Sequence, residues 1–282
     1  MKICYLLLLS VISFVSVCQT ESAPSQTIQP ITKKFMKGNL YFSWGYTRCW
    51  YSKSDIHFVD HSNKYHPATG RYNDYDFTIY NAKAVDRPDF DAIKDVVNIT
   101  IPQFVVHAGY YFNNKKDLGI EISYDHAKYV VNNYQKVHIK GNFNGNYVDQ
   151  DTILDPNNLV HFEHTDGANF WMINLLKRWK LYEPSKNFNA GFVVKPGAGI
   201  VYPRTDVTMF GERLNNNWHL AGWIVGIEAG FRAEFLKHGV FEFTGKGVYA
   251  DYRKCLVLGK GNGSANHHFF ATQLTMTLGV MF

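Results

Sequence analysis

The carboxyl-terminal stretch QLTMTLGVMF, residues 273–282, divides into two sets of side chains when every second residue is taken. One set is wholly apolar and ends on an aromatic residue: Leu274, Met276, Leu278, Val280 and Phe282. The other set is mostly small or polar: Gln273, Thr275, Thr277, Gly279 and Met281. Because successive side chains of a strand point to opposite faces, this stretch predicts a strand with one apolar and one polar face.

The same alternation recurs along much of the chain. It is clearest in residues 40–49, 103–112, 118–125, 188–202 and 221–235. The polar faces of the last three segments mix charged residues with glycine or serine. Several of these segments are longer than the usual strand of about five or six residues. Strands of about nine to eleven residues, apolar outside and polar inside, are typical of barrels that cross a bilayer. The sequence therefore predicts an all-β, antiparallel transmembrane β-barrel.

The connections between the alternating segments are short and long in turn, which fixes a strand count. From the carboxyl end, the eight predicted strands are 268–282, 240–254, 218–236, 188–203, 168–182, 118–131, 101–113 and 38–53. Transmembrane barrels carry short periplasmic turns and long extracellular loops, so both termini are expected at the periplasmic end. Residues 75–84 (YDFTIYNAKA) also alternate, and ten strands are the alternative. We interpret 75–84 as a hairpin rising from the first long loop.

The amino-terminal region indicates export. Lys2 precedes the apolar run from Ile3 to Val17, as expected of a secretory signal peptide, here residues 1–20. Residues 21–36 are predicted to be a flexible segment and 37–282 the barrel. Cys18 leaves lipoprotein processing open as an alternative. Beyond the leader only Cys49 and Cys255 remain, and two free or packed thiols are favoured over a disulfide.

The last ten residues resemble the carboxyl-terminal signature of bacterial outer-membrane β-barrels. In that family the last strand is read by the barrel-assembly machinery, so Leu274, Met276, Leu278, Val280 and Phe282 are the implied assembly signal. The whole chain resembles small barrels of Gram-negative bacteria, of the kind common in Bacteroidota, with an OmpA/OmpX-like architecture. The resemblance implies an outer-membrane location, with membrane lipids, lipopolysaccharide and the assembly machinery as partners. It implies no activity, because function depends on sites and not on the fold.

The polar faces predict a charged interior. An eight-stranded barrel has a lumen just wide enough for side chains to fill. The inward charged or ionisable groups are His107, Glu121, Lys195, Glu228, Arg232, Glu242 and Lys246, together with Asp125, Arg178 and Glu234. Because buried charges persist when they are paired, we expect a salt-bridged plug and no open channel.

One segment combines residue types that can carry out acyl transfer. In LVHFEHTDGANFW, residues 159–171, His164 is the candidate general base, with Thr165 and Glu163 beside it. The segment resembles outer-membrane lipid A deacylases, which are eight-stranded barrels that use His, Ser and Glu. In those enzymes the nucleophilic serine lies two residues after the histidine, a place that Asp166 takes in this chain.

These observations lead to three functional hypotheses. The first is a non-enzymatic outer-membrane barrel that supports the envelope or displays binding loops. The second is a lipid A-modifying enzyme that uses His164, and the third is a narrow channel for small solutes. The net charge of +5 without a Lys/Arg run argues against nucleic-acid binding. No cofactor or metal site is predicted, since His57 and His61 are interpreted as solvated loop residues, and the oligomeric state is left open.

Overall fold

The protein is represented by a computed structural model that describes residues 40–66, 70–87, 103–112, 117–143, 145–258 and 262–282. The predicted signal peptide and flexible segment, residues 1–36, lie outside these ranges. The strands are β1 Leu40–Tyr51, β2 Ser54–Asp60, β3 Tyr65–His66, β4 Arg71–Tyr72, β5 Tyr75–Ala82, β6 Ala84–Val85, β7 Phe104–Tyr111, β8 Leu118–His126, β9 Tyr129–Val131, β10 Lys136–Phe143, β11 Asn146–Ile153, β12 Val160–His164, β13 Phe170–Ser185, β14 Phe188–Val201, β15 Asp206–Met209, β16 Glu212–Asn215, β17 Gly222–Phe235, β18 Gly239–Leu256 and β19 Ser264–Met281. Within the described ranges, no helix is long and apolar enough to span a membrane.

Eight of these strands close into an antiparallel ring. Going around it, β1 pairs with β7, followed by β8, β13, β14, β17, β18 and β19, and β19 returns to β1. The terminal residue takes part in this closure, since the Phe282 N–H donates to the Leu40 carbonyl at 2.8 Å. Closure removes the unpaired strand edges that would cost several kcal/mol per group in lipid. The eight-strand prediction is confirmed, and the ten-strand alternative is wrong.

The outer face of the ring carries a continuous apolar band. On β19, Leu274, Met276 and Leu278 are 42–61% exposed, whereas Thr275 and Thr277 between them point inward and are 1–2% exposed. Other exposed apolar residues of the band are Phe42, Trp44, Ile122, Ile173, Leu175, Ile227 and Phe231. The end of the barrel that carries the long connections is called the upper end. At its upper edge the band ends in a ring of aromatic residues: Tyr124, Trp171, Trp223, Tyr249 and Phe270. An exposed apolar band of this kind belongs to a transmembrane barrel.

Above the band, the long connections fold into further strands, here called the upper tier: β2 to β6, β9 to β12, β15 and β16. The first residues of β19 continue upward and pair with β2, which pairs with β5, and β5 pairs with β10. The predicted hairpin at 75–84 is confirmed, because β2 and β5 form an antiparallel pair. On the other side, β6 pairs with β9, β9 with β12, and β12 with β15.

The upper tier also corrects the sequence-based boundaries. The prediction of one continuous strand at 118–131 is wrong, because β8 ends at His126 and β9 turns away to pair with β6 and β12. Much of the connection at 132–167, predicted as a long loop, consists of β10, β11 and β12. Alternation does not separate the two kinds of strand, because water-exposed sheets over an apolar core also alternate.

The interior changes character with height. Inside the apolar band it is polar, whereas the upper tier encloses a hydrophobic core. Aromatic residues dominate this core: the Phe58 and Phe77 rings stack at 5.2 Å, and the Tyr129 and Phe269 rings at 4.9 Å. Phe162 packs edge-on against Phe58 at 5.5 Å.

Candidate functional site

Lys195 is the centre of the charged group in the lumen. Its Nζ lies 3.0 Å from a Glu121 oxygen, 3.2 Å from Glu228 and 2.6 Å from Glu242. His107 Nδ1 is a further 3.4 Å neighbour of the same ammonium. The strand register explains this convergence, because Lys195 is the cross-strand partner of Glu228 between β14 and β17. Opposite charges placed in register on one face attract each other directly.

A second cation extends the network toward the lower end of the barrel. Arg232 donates from Nη1 to Glu242 at 2.7 Å and from Nε to Glu234 at 2.9 Å. Its guanidinium carbon also lies 4.2 Å from the centre of the Tyr41 ring, a cation–π contact. Arg232 and Glu242 face each other in register between β17 and β18. Arg232 thus connects two carboxylates and an aromatic face in one network.

The upper end of the lumen is closed by a further pair. Lys246 Nζ donates to Asp125 at 2.7 Å, and Thr244 Oγ1 donates to Glu228 at 2.8 Å. The structure thus brings together the ionisable groups proposed for the lumen from the sequence. Each is at most 3% exposed: His107, Glu121, Lys195, Glu228, Arg232, Glu242 and Lys246. Their side chains fill the space around them, and this arrangement suits a plug.

The candidate catalytic residues do not assemble. Thr165 Oγ1 donates to Glu163 at 2.6 Å, and His161 Nε2 lies 3.1 Å from the same carboxylate. His164 projects from the opposite face of β12 into the apolar core and is fully buried. Burial alone would raise the pKa of the Glu163 carboxyl, but hydrogen bonds from His161 and Thr165 together with nearby positive charge lower the pKa below its usual value. A base on one face of a strand cannot take a proton from a hydroxyl on the other.

His164 instead meets two residues from the last two strands. Its Nε2 lies 3.3 Å from Nε2 of His267 on β19 and 3.8 Å from Sγ of Cys255 on β18. The three side chains are at most 2% exposed. They lie above the aromatic edge of the band, because His267 is in register with Tyr252, three residues beyond Tyr249 on β18. We call these three residues the His–Cys cluster.

Burial controls the protonation of the His–Cys cluster. Desolvation holds the pKa of His164 well below its usual value, and the nearby His267 lowers it further. Desolvation also lowers the pKa of His267 to about 3, and it raises the pKa of the Cys255 thiol. Both imidazoles are therefore neutral near pH 7 and keep a lone pair on one ring nitrogen. Such nitrogens, beside a sulfur atom, are potential metal ligands.

The His–Cys cluster has no signature in the sequence. Its members belong to β12, β18 and β19, and His164 is separated from Cys255 by 91 positions and from His267 by 103. No short spacing motif connects them. The two cysteines are free thiols, so the disulfide alternative is wrong. Cys49 is also buried, and its Sγ accepts a hydrogen bond from Gln273 Nε2 at 3.5 Å.

The water-exposed side of the upper tier carries a partly apolar groove. Its volume is about 540 Å³, and its lining includes Tyr134, Ile139, Phe143, Val148 and Phe210. Phe143 stacks on the buried Phe77 at 4.2 Å, so the floor of the groove continues into the core. A concave surface of this kind, with rigid aromatic walls, is suited to binding a ligand or a partner segment.

Ring closure, the apolar band and the filled lumen together define the class of the protein: an eight-stranded antiparallel transmembrane β-barrel with a folded upper tier. No family model and no curated protein matches the chain. The solved structures that are similar to it include the following three. Neisserial surface protein A is 9% identical, with 86% of this chain and 97% of that chain covered and a TM-score of 0.36.

The second similar structure is the outer membrane protein OprG from Pseudomonas aeruginosa, at 11% identity, covering 88% of this chain and 97% of that one, with a TM-score of 0.36. The third is Ail, the attachment invasion locus protein of Yersinia pestis, at 10% identity, 85% and 99% coverage, and a TM-score of 0.28.

Proposed function

We propose that this chain is a non-enzymatic integral protein of a Gram-negative outer membrane. In this proposal the barrel is a closed anchor that holds the upper tier at the cell surface, where its groove binds a ligand or partner. The predicted signal peptide and the carboxyl-terminal pattern support this location. The terminal strand, with Leu274 to Phe282 on its apolar face, is the proposed assembly signal. The apolar band would contact membrane lipids and the lipid portion of lipopolysaccharide.

The observation that carries the proposal is that side chains block the barrel axis at two levels. The ion-paired network around Lys195 fills the lumen, and the aromatic core around Phe162 closes the space above it. A solute would have to displace both, and separating buried ion pairs or packed aromatic side chains costs several kcal/mol. This arrangement supports an anchor over the channel hypothesis. The separation of His164 from Thr165 supports it over the deacylase hypothesis.

Site-directed labelling of intact cells tests location and orientation. Tyr134 in the groove and Leu236 in a short turn at the opposite end are both highly exposed. A membrane-impermeant maleimide should label a Tyr134→Cys variant on intact cells and a Leu236→Cys variant only after the envelope is opened. Cys49 and Cys255 are buried and should stay unreactive in the folded protein. The reverse labelling pattern would contradict the orientation, and no surface labelling in either variant would contradict the location.

Two further measurements test the absence of transport and catalysis. Purified barrel in a planar bilayer should show no discrete conductance. The lipid A mass spectrum of cells that express the protein should match that of cells with an empty vector. Loss of an acyl chain that disappears in a His164→Ala variant would establish the enzyme instead. Heat-modifiable gel mobility of that variant is the control that the barrel has folded.

A further inference from the structure

The His–Cys cluster presents three ligand atoms at distances that suit a shared metal ion. A late first-row ion bonds to imidazole nitrogen at about 2.0 Å and to thiolate sulfur at about 2.3 Å. Three such ligands in a trigonal arrangement lie about 3.5 Å apart between nitrogens and about 3.7 Å between nitrogen and sulfur. The observed distances are 3.3 Å for His164 Nε2 to His267 Nε2 and 3.8 Å for His164 Nε2 to Cys255 Sγ. Two of the three ligand distances therefore match a shared ion, and all three ligand atoms lie within 4.8 Å of one another.

Protein groups alone leave this cluster poorly satisfied. Nδ1 of His164 and Nδ1 of His267 are buried without a hydrogen-bond partner. Of the four ring nitrogens, the two Nε2 atoms share one contact at 3.3 Å. Buried polar atoms without partners cost free energy, and native proteins rarely keep several together. An ion bound between the two Nε2 atoms and the sulfur would bond to all three of these atoms, and each Nδ1 would then carry the ring proton.

The residues around the cluster favour a metal ion with a single positive charge. His164 stacks on Tyr252 at 5.1 Å, His267 lies 5.0 Å from Tyr129, and Phe162 and Phe269 complete the aromatic shell. A thiolate and a monovalent cation together carry no net charge, so an apolar shell tolerates them. Zn²⁺ with one thiolate would leave a buried positive charge, which is costly, and structural zinc sites normally have four ligands. Thiolate is a soft ligand that selects Cu⁺ or Zn²⁺, and imidazole suits both metals, so the lower charge of the ion decides for Cu⁺.

We propose that His164, His267 and Cys255 form a binding site for one Cu⁺ ion. The ion bonds to Nε2 of each histidine and to the cysteine sulfur. The Cys255 thiol loses its proton as the copper–sulfur bond forms, so one proton is released for each ion bound and no electron is transferred. Bound copper would connect β12, β18 and β19 within the upper tier.

The first experiment is a titration of the folded full-length protein in detergent micelles. Cu⁺ is generated with ascorbate and competed against a chromophoric copper chelator. We expect one Cu⁺ per chain and a binding affinity that falls at least about 100-fold in a Cys255→Ser variant. A Cys49→Ser variant removes the other buried thiol and should bind as the wild type does. Heat-modifiable mobility verifies that each variant is folded.

Copper K-edge X-ray absorption of the wild type tests the site even if the Cys255→Ser variant fails to fold. We expect one sulfur and two imidazole nitrogens around the metal. Undiminished binding in folded Cys255→Ser, a copper shell without sulfur, or absence of binding by the folded wild type would each overturn the proposal. Displacement of Cu⁺ by equimolar Zn²⁺ would overturn the argument for a monovalent ion.

Discussion

The lumen and the upper-tier core are two interiors formed in part by the same strands. On the lower part of β18 and β19, the inward side chains are polar, with Lys246 and Gln273 as examples, while the outward ones are apolar. Higher on the same strands, Tyr252 and Phe269 point inward and the outward residues include Asp251 and His268. The polarity of the two faces is thus exchanged along one strand, near the aromatic edge of the band.

This exchange follows the solvent that surrounds each level. In lipid, an apolar outer face is favoured, so the narrow interior is where polar and charged groups are found, held together by ion pairs. In water the hydrophobic effect favours burial of the aromatic faces, and ion pairs move to the surface. Lys136 and Asp151 show the latter case, 2.9 Å apart and both more than half exposed. Alternation alone does not reveal which face is inside.

The largest expected effect tests the ionic character of the lumen. Replacing Lys195 with Met leaves Glu121, Glu228 and Glu242 without their shared cation. We expect the free energy of unfolding to fall by about 3–5 kcal/mol, because breaking a buried pair leaves uncompensated charge. Urea unfolding in detergent micelles, followed by tryptophan fluorescence, measures the loss.

The matched control is Lys136→Met in the upper tier, which removes a cation from an exposed pair. There the loss should be at most about 1 kcal/mol. Equal losses at positions 195 and 136 would show that the lumen is hydrated, and the contrast between the two interiors would then fail.

A smaller effect is expected on the outer face. Ile122 lies in the apolar band and is 53% exposed, whereas Tyr134 in the upper tier is 62% exposed. An Ile122→Arg variant should lose about 2–4 kcal/mol in lipid vesicles, because a charge near the middle of the bilayer is costly. A Tyr134→Arg variant should be close to neutral because its side chain faces water. If both substitutions are tolerated equally well in vesicles, residue 122 does not face lipid.

The sequence was sufficient for the barrel because each membrane strand carries its own pattern. The strict alternation around Leu274 and Ile122 reflects local geometry, and the ladder register then brings Lys195 to Glu228. Both follow from a period of two and from short turns, which are visible in the sequence. The alternation also located the hairpin at 75–84, although it could not identify that hairpin as part of a folded tier.

Contacts between strands far apart in the chain could not be predicted from the sequence pattern. The hypothesis that His164 acts together with Thr165 rests on their being neighbours in the chain. Strand geometry places their side chains on opposite faces. The neighbours that His164 actually has, Cys255 and His267, depend on how β12 packs against β18 and β19. That packing results from burial of aromatic side chains, which follows no fixed spacing. The same limit applies to the long connections, whose strands pair with partners far along the chain.

The effect that is expected to be smallest near neutral pH is a pH dependence confined to the upper-tier core. The pKa values of His164 and His267 are depressed by burial in the folded protein and return to about 6.5 on unfolding. The unfolded chain therefore binds more protons below about pH 6.5, so stability is complete above that pH and is lost as the pH falls toward 3. Each histidine contributes a slope of up to about 1.4 kcal/mol per pH unit.

The test uses metal-free protein with a chelator present. In a His267→Phe variant, the dependence of the unfolding free energy on pH should be smaller by the contribution of one proton. Its neighbour His268 faces outward, and a His268→Phe variant should keep the full slope in the same unfolding series. A slope that is identical in the wild type and both variants would place the acid sensitivity in the lumen instead.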